Sequence, residues 1–287
     1  MSVHGHRPDH PGAQTELLIA VALTLVMMGV EIWAGIISGS VSLSADAAHM
    51  FTDASALALS AFAAWMARKP ATPAKTYGYY RTEILAALAN GLALWIIVLI
   101  IVLHAFQRLH EPRPVQTGTM LVIAVVGLII NLFIALLLMR NARENLNVRS
   151  AWLNVVSDAL GSLGVIGAAV LTRWYGWASA DAMAGLLIAL LIAINSWNLV
   201  RQSVNVLLEG SPSHIRTEEV INCLKAIRGV REVHDVHLWT ITTGMDAMSG
   251  HITVDDMSRS SEILSDLNKL LSDRFGITHT TFQLEVK

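Results

Sequence analysis

Six long apolar runs dominate the first 208 positions, at roughly Leu17–Ser38, Leu43–Met66, Ile84–Leu109, Thr119–Met139, Ala151–Tyr175 and Ala178–Val200. A helix that crosses a bilayer needs about 20 mainly apolar residues, so each run predicts one span. Only Gly39–Ser42 separates the first two, which predicts a tight external turn. Beyond residue 208 the pattern changes. Val220, Ile221, Leu224 and Ile227 form a helical stripe within Thr217–Arg228. Val233–Ile241 and His251–Asp255 read as strands joined around Thr243–Gly244, and Thr280–Val286 alternates as a third. Ser261–Phe275 carries Ile263, Leu264, Leu267, Leu270 and Leu271 on one face, as an amphipathic helix does. The α-β-β-α-β order predicts helices on one face of a small sheet. The expected fold is therefore a membrane all-α domain of six transmembrane helices at 15–208, followed by a small α/β domain at 209–287. A short tail at 1–14 bears His4, His6 and His10.

Charge in the loops orients the spans, because cytoplasmic loops collect Lys and Arg. Arg68, Lys69, Lys75 and Arg81 lie between spans two and three, and Arg140, Arg143 and Arg149 between four and five. The opposite loops hold only Arg113, with Arg108 at its edge, and Arg173. Both termini are expected in the cytoplasm, and the polar Met1–Gln14 shows no cleavable signal peptide. Composition agrees with a membrane chain: 54% of the 287 residues are hydrophobic and 15% charged, against roughly 25% charged in soluble domains. A net charge of -2 argues against a nucleic-acid partner. The single Cys223 allows neither an internal disulfide nor a cysteine-based zinc cage. No His-Glu-x-x-His run is present, and no Ser or Cys is placed with a His as a nucleophile pair, so the chain does not read as an enzyme.

Several residues do not belong in hydrocarbon. Placing an Asp at mid-helix costs about 2.5–3.5 kcal/mol, yet span two carries Asp46, His49 and Asp53 on one helical face. Span five carries Asn154 and Asp158, also four apart. Brought together, His49, Asp53, Asn154 and Asp158 offer an imidazole, two carboxylates and an amide. That set suits a divalent transition metal in tetrahedral coordination, zinc first among them. Asn154 taken alone reads as an interhelical hydrogen bonder, and Asp46 as a residue near the outer end. Glu31, Asn90, His104, Asn131 and Asn195 read as interhelical hydrogen bonders, and Asp181 as a cap for its own helix or a partner for a neighbour. Gly161, Gly164 and Gly167 read as a close-packing stripe along span five.

The chain resembles the cation diffusion facilitator family. The runs that carry the resemblance are Ser44-Ala45-Asp46-Ala47-Ala48-His49-Met50 with Asp53, and Tyr77-Gly78-Tyr79-Tyr80-Arg81 leading to Glu83. They continue with Asp158-Ala159-Leu160-Gly161-Ser162, Asn205-Val206-Leu207-Leu208-Glu209-Gly210 and His237-Leu238-Trp239. The likeness covers nearly the whole chain from Leu17 and is greatest to the bacterial cobalt–zinc–cadmium resistance branch. It implies a homodimer in the inner membrane, a cytoplasmic tail folded like a ferredoxin or metallochaperone, and export of divalent cations in exchange for protons. It implies a transport site of His49, Asp53, position 154 and Asp158, and a charge lock of Arg81 with Glu209. It also implies a metal site in the tail at His234, His251 and Glu285, with His237, Asp255 and His279 nearby. Zinc-type members usually carry His where this chain has Asn154, which leaves cadmium, cobalt, nickel and manganese open beside zinc. The alternative class is a membrane metal sensor or scaffold that does not transport.

Overall fold

The computed structural model describes residues 11–111, 113–139 and 146–286. His4, His6, His10, Arg140 and Arg143 lie outside the described residues. Six helices follow one another: α1 (Pro11–Ser38), α2 (Val41–Ala67), α3 (Thr82–His110), α4 (Thr117–Met139), α5 (Leu146–Tyr175) and α6 (Ala180–Leu207). Each contains a stretch long and apolar enough to cross a bilayer, and each satisfies its backbone polar groups internally, as hydrocarbon demands. Trp33, Ile36, Leu136 and Leu187 are among the many large apolar side chains left exposed on their outer faces. In water such a surface would aggregate; in a bilayer it is the contact surface. The chain is a multi-pass membrane protein.

Two compact units divide the chain, one taking in the chain up to Leu57 together with Leu92–Ser196, the other Ala58–Gly91 with Trp197 onward. In the first unit α4 packs along α5 and against α1, over a core that includes Ala34, Leu43, Met120, Val165 and Ile192. The turn between α1 and α2 is only Gly39 and Ser40, with Gly39 at φ +63°, a conformation that glycine adopts without steric cost.

Asp181 does not cap its own helix. It caps α2. Its Oδ1 accepts from the Ser40 and Ser42 hydroxyls at 2.6 Å each and from the Ser42 N–H at 3.2 Å. Its Oδ2 accepts from the Val41 N–H at 2.7 Å, and the side chain is fully buried. The first amides of a helix have no partner within it, and a negative charge there also complements the helix dipole. The start of α2 is thereby tied to α6, and α2 is the helix that carries His49 and Asp53.

Close packing along the glycines of α5 is required only at Gly161. A Cβ there would fall 2.5 Å from Asp46 Oδ1, whereas nothing lies within 4 Å of such an atom at Gly164 or Gly167. The expected small-residue stripe is thus a single point of approach, where α5 admits a carboxyl from α2.

In the second unit the C-terminal α/β domain holds α7 (Thr217–Lys225), β1 (Val230–Thr242), β2 (Met245–Val254), α8 (Ser260–Leu270) and β3 (His279–Glu285). The sheet order is β1-β2-β3, with β1 antiparallel and β3 parallel to the central β2. Val220 and Leu224 of α7, Ile252 of β2, and Ile263 and Leu267 of α8 share one core. The α-β-β-α-β order matches the reading from periodicity. Two boundaries differ by the most. Strand β2 begins at Met245 rather than His251, directly after the turn at Gly244 (φ +75°), because pairing on both edges holds its Ala-Met-Ser-Gly stretch extended. Helix α8 ends at Leu270 and gives way to a π turn over Leu271–Phe275, closed by the left-handed Gly276. Asp256 caps the 3-10 turn before α8, and bonds from the Ser258 hydroxyl and N–H hold its carboxyl below the usual carboxylate range.

Candidate metal sites

His49 and Asp53 lie four residues apart on α2, so both side chains leave the same face. Asp158 of α5 meets them. One ligand atom from each of the three lies within 4.8 Å of the other two. His49 Nε2 and Asp158 Oδ1 are 3.9 Å apart. Two ligands about 2.0–2.1 Å from a tetrahedral ion stand about 3.3 Å apart, so a shift of about half an ångström would bring this pair to coordination geometry. Asp158 is 5% exposed, and its Oδ1 is buried with no hydrogen-bond partner among the described residues. A buried carboxylate oxygen left unsatisfied is costly unless something else pairs with it. With His49 neutral, Asp53 and Asp158 together supply two negative charges, the number that a divalent cation neutralises.

Asn154 stands one turn before Asp158 on α5, is exposed, and makes no hydrogen bond among the described residues. It keeps on α5 the four-residue spacing to Asp158 that made it a candidate fourth ligand. Asp46 is buried against Gly161.

A second cluster lies in the α/β domain. His234 and His251 face each other across β1 and β2, their ring centroids 5.4 Å apart and edge to face. Glu285 at the end of β3 reaches both: its Oε1 is 2.7 Å from His251 Nδ1, and its Oε2 is 3.6 Å from His234 Nε2. All three are half-buried, and each offers a ligand atom to a common point. The short His251–Glu285 contact is a hydrogen bond that would have to lengthen to admit an ion. A β-bulge between His234 and His237 adds a residue that sequence periodicity did not flag. Asp235 sits there at φ +47°, with Oδ1 3.1 Å from His237 Nε2 and Oδ2 3.7 Å from His251 Nε2. Simple alternation would have pointed Asp235 away from His234; the bulge swings it into reach. Asp255 pairs instead with Arg231, and His279 packs edge-on against Tyr77.

Arg81 donates to Glu209 at 3.0 Å. Glu209 follows the end of α6 at φ +58°, the left-handed position that closes many helices. Nearby, the Thr242 hydroxyl at the tip of β1 donates to Glu83 in the first turn of α3, a contact that no spacing rule would have predicted.

Residues 17–208 match the family model described as the cation efflux transmembrane domain, and 212–287 match that of the cation efflux protein, cytoplasmic domain. The chain belongs to the cation efflux family. This bears out the resemblance to cation diffusion facilitators. The metal cation efflux system protein CzcD of Cupriavidus metallidurans is 41% identical over 284 residues, covering 98% of this chain and 90% of that protein. The cadmium, cobalt and zinc/H(+)-K(+) antiporter of Bacillus subtilis is 38% identical, covering 99% of this chain and 92% of that protein. The zinc transporter ZitB of Escherichia coli is 39% identical, covering 98% and 90%. A solved metal-bound C-terminal domain of CzcD matches 25% of this chain and 99% of its own, at 35% identity and a TM-score of 0.24. As a member of the cation efflux family the chain is a metal-cation transporter, and its cargo is a metal ion.

Proposed function

We propose that this protein exports divalent transition-metal cations, zinc first among them, from the cytoplasm in exchange for protons. It does so as a homodimer in the inner membrane with both termini cytoplasmic. The observation that carries the reading is the cluster of His49, Asp53 and Asp158 inside two membrane spans, with an unpartnered carboxylate oxygen aimed into it. The Lys and Arg bias of the loops supports the orientation. The names of the relatives, which include zinc, cadmium and cobalt, support the cargo class.

Metal binds from the cytoplasm when His49 is neutral and both carboxylates are ionised, since ligands must shed their protons to coordinate. Three protein ligands and a water complete four-coordination, with Asn154 one turn away as a further oxygen donor. Helix movement then opens the site to the other face, as alternating access requires. Protons arriving there compete for the same ligand atoms and release the metal. The arrangement is electroneutral with metal bound, which lowers the cost of carrying the ion through a medium of low dielectric. In the tail, His234, His251 and Glu285 form a metal site that biases the dimer toward one arrangement, a linkage between two sites. Arg81 and Glu209 serve as the charge lock at its base.

The test is metal flux in proteoliposomes, with zinc competed by cadmium, cobalt, nickel and manganese. Asp53→Ala and Asp158→Ala are each expected to abolish flux. An active aspartate variant would place transport elsewhere, and tight metal binding without flux in the unmodified protein would favour a sensor or scaffold.

A further inference from the structure

A second polar cluster lies between α1, α4 and α5, apart from the metal ligands. Glu31 on α1 is fully buried, and neither of its carboxyl oxygens has a hydrogen-bond partner among the described residues. The same holds for both amide atoms of Asn131 on α4 and for the Ser162 hydroxyl on α5, buried to 1% exposure or less. Gly127 marks where Glu31 and Ser162 converge. A Cβ on that residue would fall 2.8 Å from Glu31 Oε1 and 3.5 Å from Ser162 Oγ. Asn131 is one turn further along the same face of α4. Buried polar groups in folded proteins are almost always paired, and here side chains on three neighbouring helices are left without partners and without bonds to one another. Reading all of them as helix-to-helix hydrogen bonders, as the sequence suggested for Glu31 and Asn131, therefore fails.

The donor set fixes the chemistry of an occupant. It offers carboxylate, amide and hydroxyl groups with no imidazole or thiol, which selects hard cations over soft ones. One carboxylate matches a single positive charge. The other charged groups that face Glu31 are Asp46 on α2 and Asp158 on α5, both acidic, so the local field also favours a cation; α4 adds none beyond the neutral Asn131. Ser162 stands one helical turn from Asp158, so α5 carries a ligand of each cluster. We propose that Glu31, Asn131 and Ser162 form a counter-cation site for one hard monovalent ion, an alkali ion or a hydronium. It is filled while the metal site is empty and emptied when metal binds. This rests on the exchange reading above, and it assigns part of the exchanged charge to residues that do not touch the metal.

The experiment adds zinc to the purified full-length protein near neutral pH and counts the ions released. Loss of preloaded radioactive rubidium or sodium reports an alkali occupant, and a pH indicator in weak buffer reports a proton. Glu31→Gln keeps the shape of the side chain and removes its charge. It is expected to bind zinc and to release one monovalent ion fewer than the unmodified protein. The channel in which that difference falls identifies the occupant. Ser162→Ala is expected to weaken retention of the same ion several-fold, and serves if Glu31→Gln proves unstable. Asp158→Asn, which loses a metal ligand, should retain the monovalent ion. Equal release from the unmodified protein and both cluster variants would overturn the proposal. Transport is measured separately, so absence of flux with a one-ion difference would sink export and leave this site standing.

Discussion

Asp181→Asn is the most informative single change, because the helix that carries two of the three metal ligands hangs from that carboxylate. Asp181 accepts from two hydroxyls and two backbone amides at the start of α2. An amide side chain keeps one acceptor oxygen and turns a donor toward this nest. The hydroxyls of Ser40 and Ser42 can rotate to accept from it, but a backbone N–H cannot reverse. One of the amides of Val41 and Ser42 is then buried without a partner, at about 1–3 kcal/mol, and the charge that complements the helix dipole is lost, at about 0.3–1 kcal/mol. Together these amount to about 1.3–4 kcal/mol. At about 2–4 °C per kcal/mol for a chain of this size, the midpoint of thermal unfolding in detergent should fall by roughly 3–16 °C. Zinc binding, followed by titration calorimetry on the same sample, should weaken although no ligand has been touched, since α2 would no longer present His49 and Asp53 against Asp158. Asp53→Asn is the control: zinc binding falls while the unfolding midpoint holds. An Asp181→Asn protein with unchanged midpoint and unchanged zinc affinity would refute the anchoring argument.

Other outcomes follow from the same geometry. Asn154→His adds an imidazole one turn from Asp158, and is expected to tighten zinc binding, sharpen discrimination against manganese and release more protons per zinc bound, because imidazole titrates near neutrality. Identical affinity, selectivity and proton count in the two proteins would mean that position 154 does not reach the ion. His251→Ala should leave maximal flux measurable while shifting apparent affinity or dimer stability, and a dead transporter would place the transport step in the tail. Cys223, half-buried in α7, should react with an impermeant maleimide only from the cytoplasmic side; labelling of intact cells from outside would invert the topology.

Amino-acid order alone determined the spans, because a bilayer leaves a run of apolar residues no option but a helix that pairs its own backbone. The same one-dimensional rule marked His49, Asp53 and Asp158, since charge within such a run is costly wherever it falls. The order of elements in the tail was legible too, its helices and strands differing in period. What periodicity could not carry was contact between elements far apart in sequence. Asp181 reads locally as the first-turn acid of α6, yet it caps a helix that begins 140 residues earlier. Asp235 reads as a residue on the wrong face of β1, and only a bulge with a left-handed backbone turns it toward His251. Glu31, Asn131 and Ser162 each look like an ordinary interhelical polar residue, because a sequence shows which groups are polar but not whether they meet. Hydrogen bonds act over about 3 Å, so whether these groups pair or stay unpartnered is decided by how three helices pack, a fact that exists only in the folded chain.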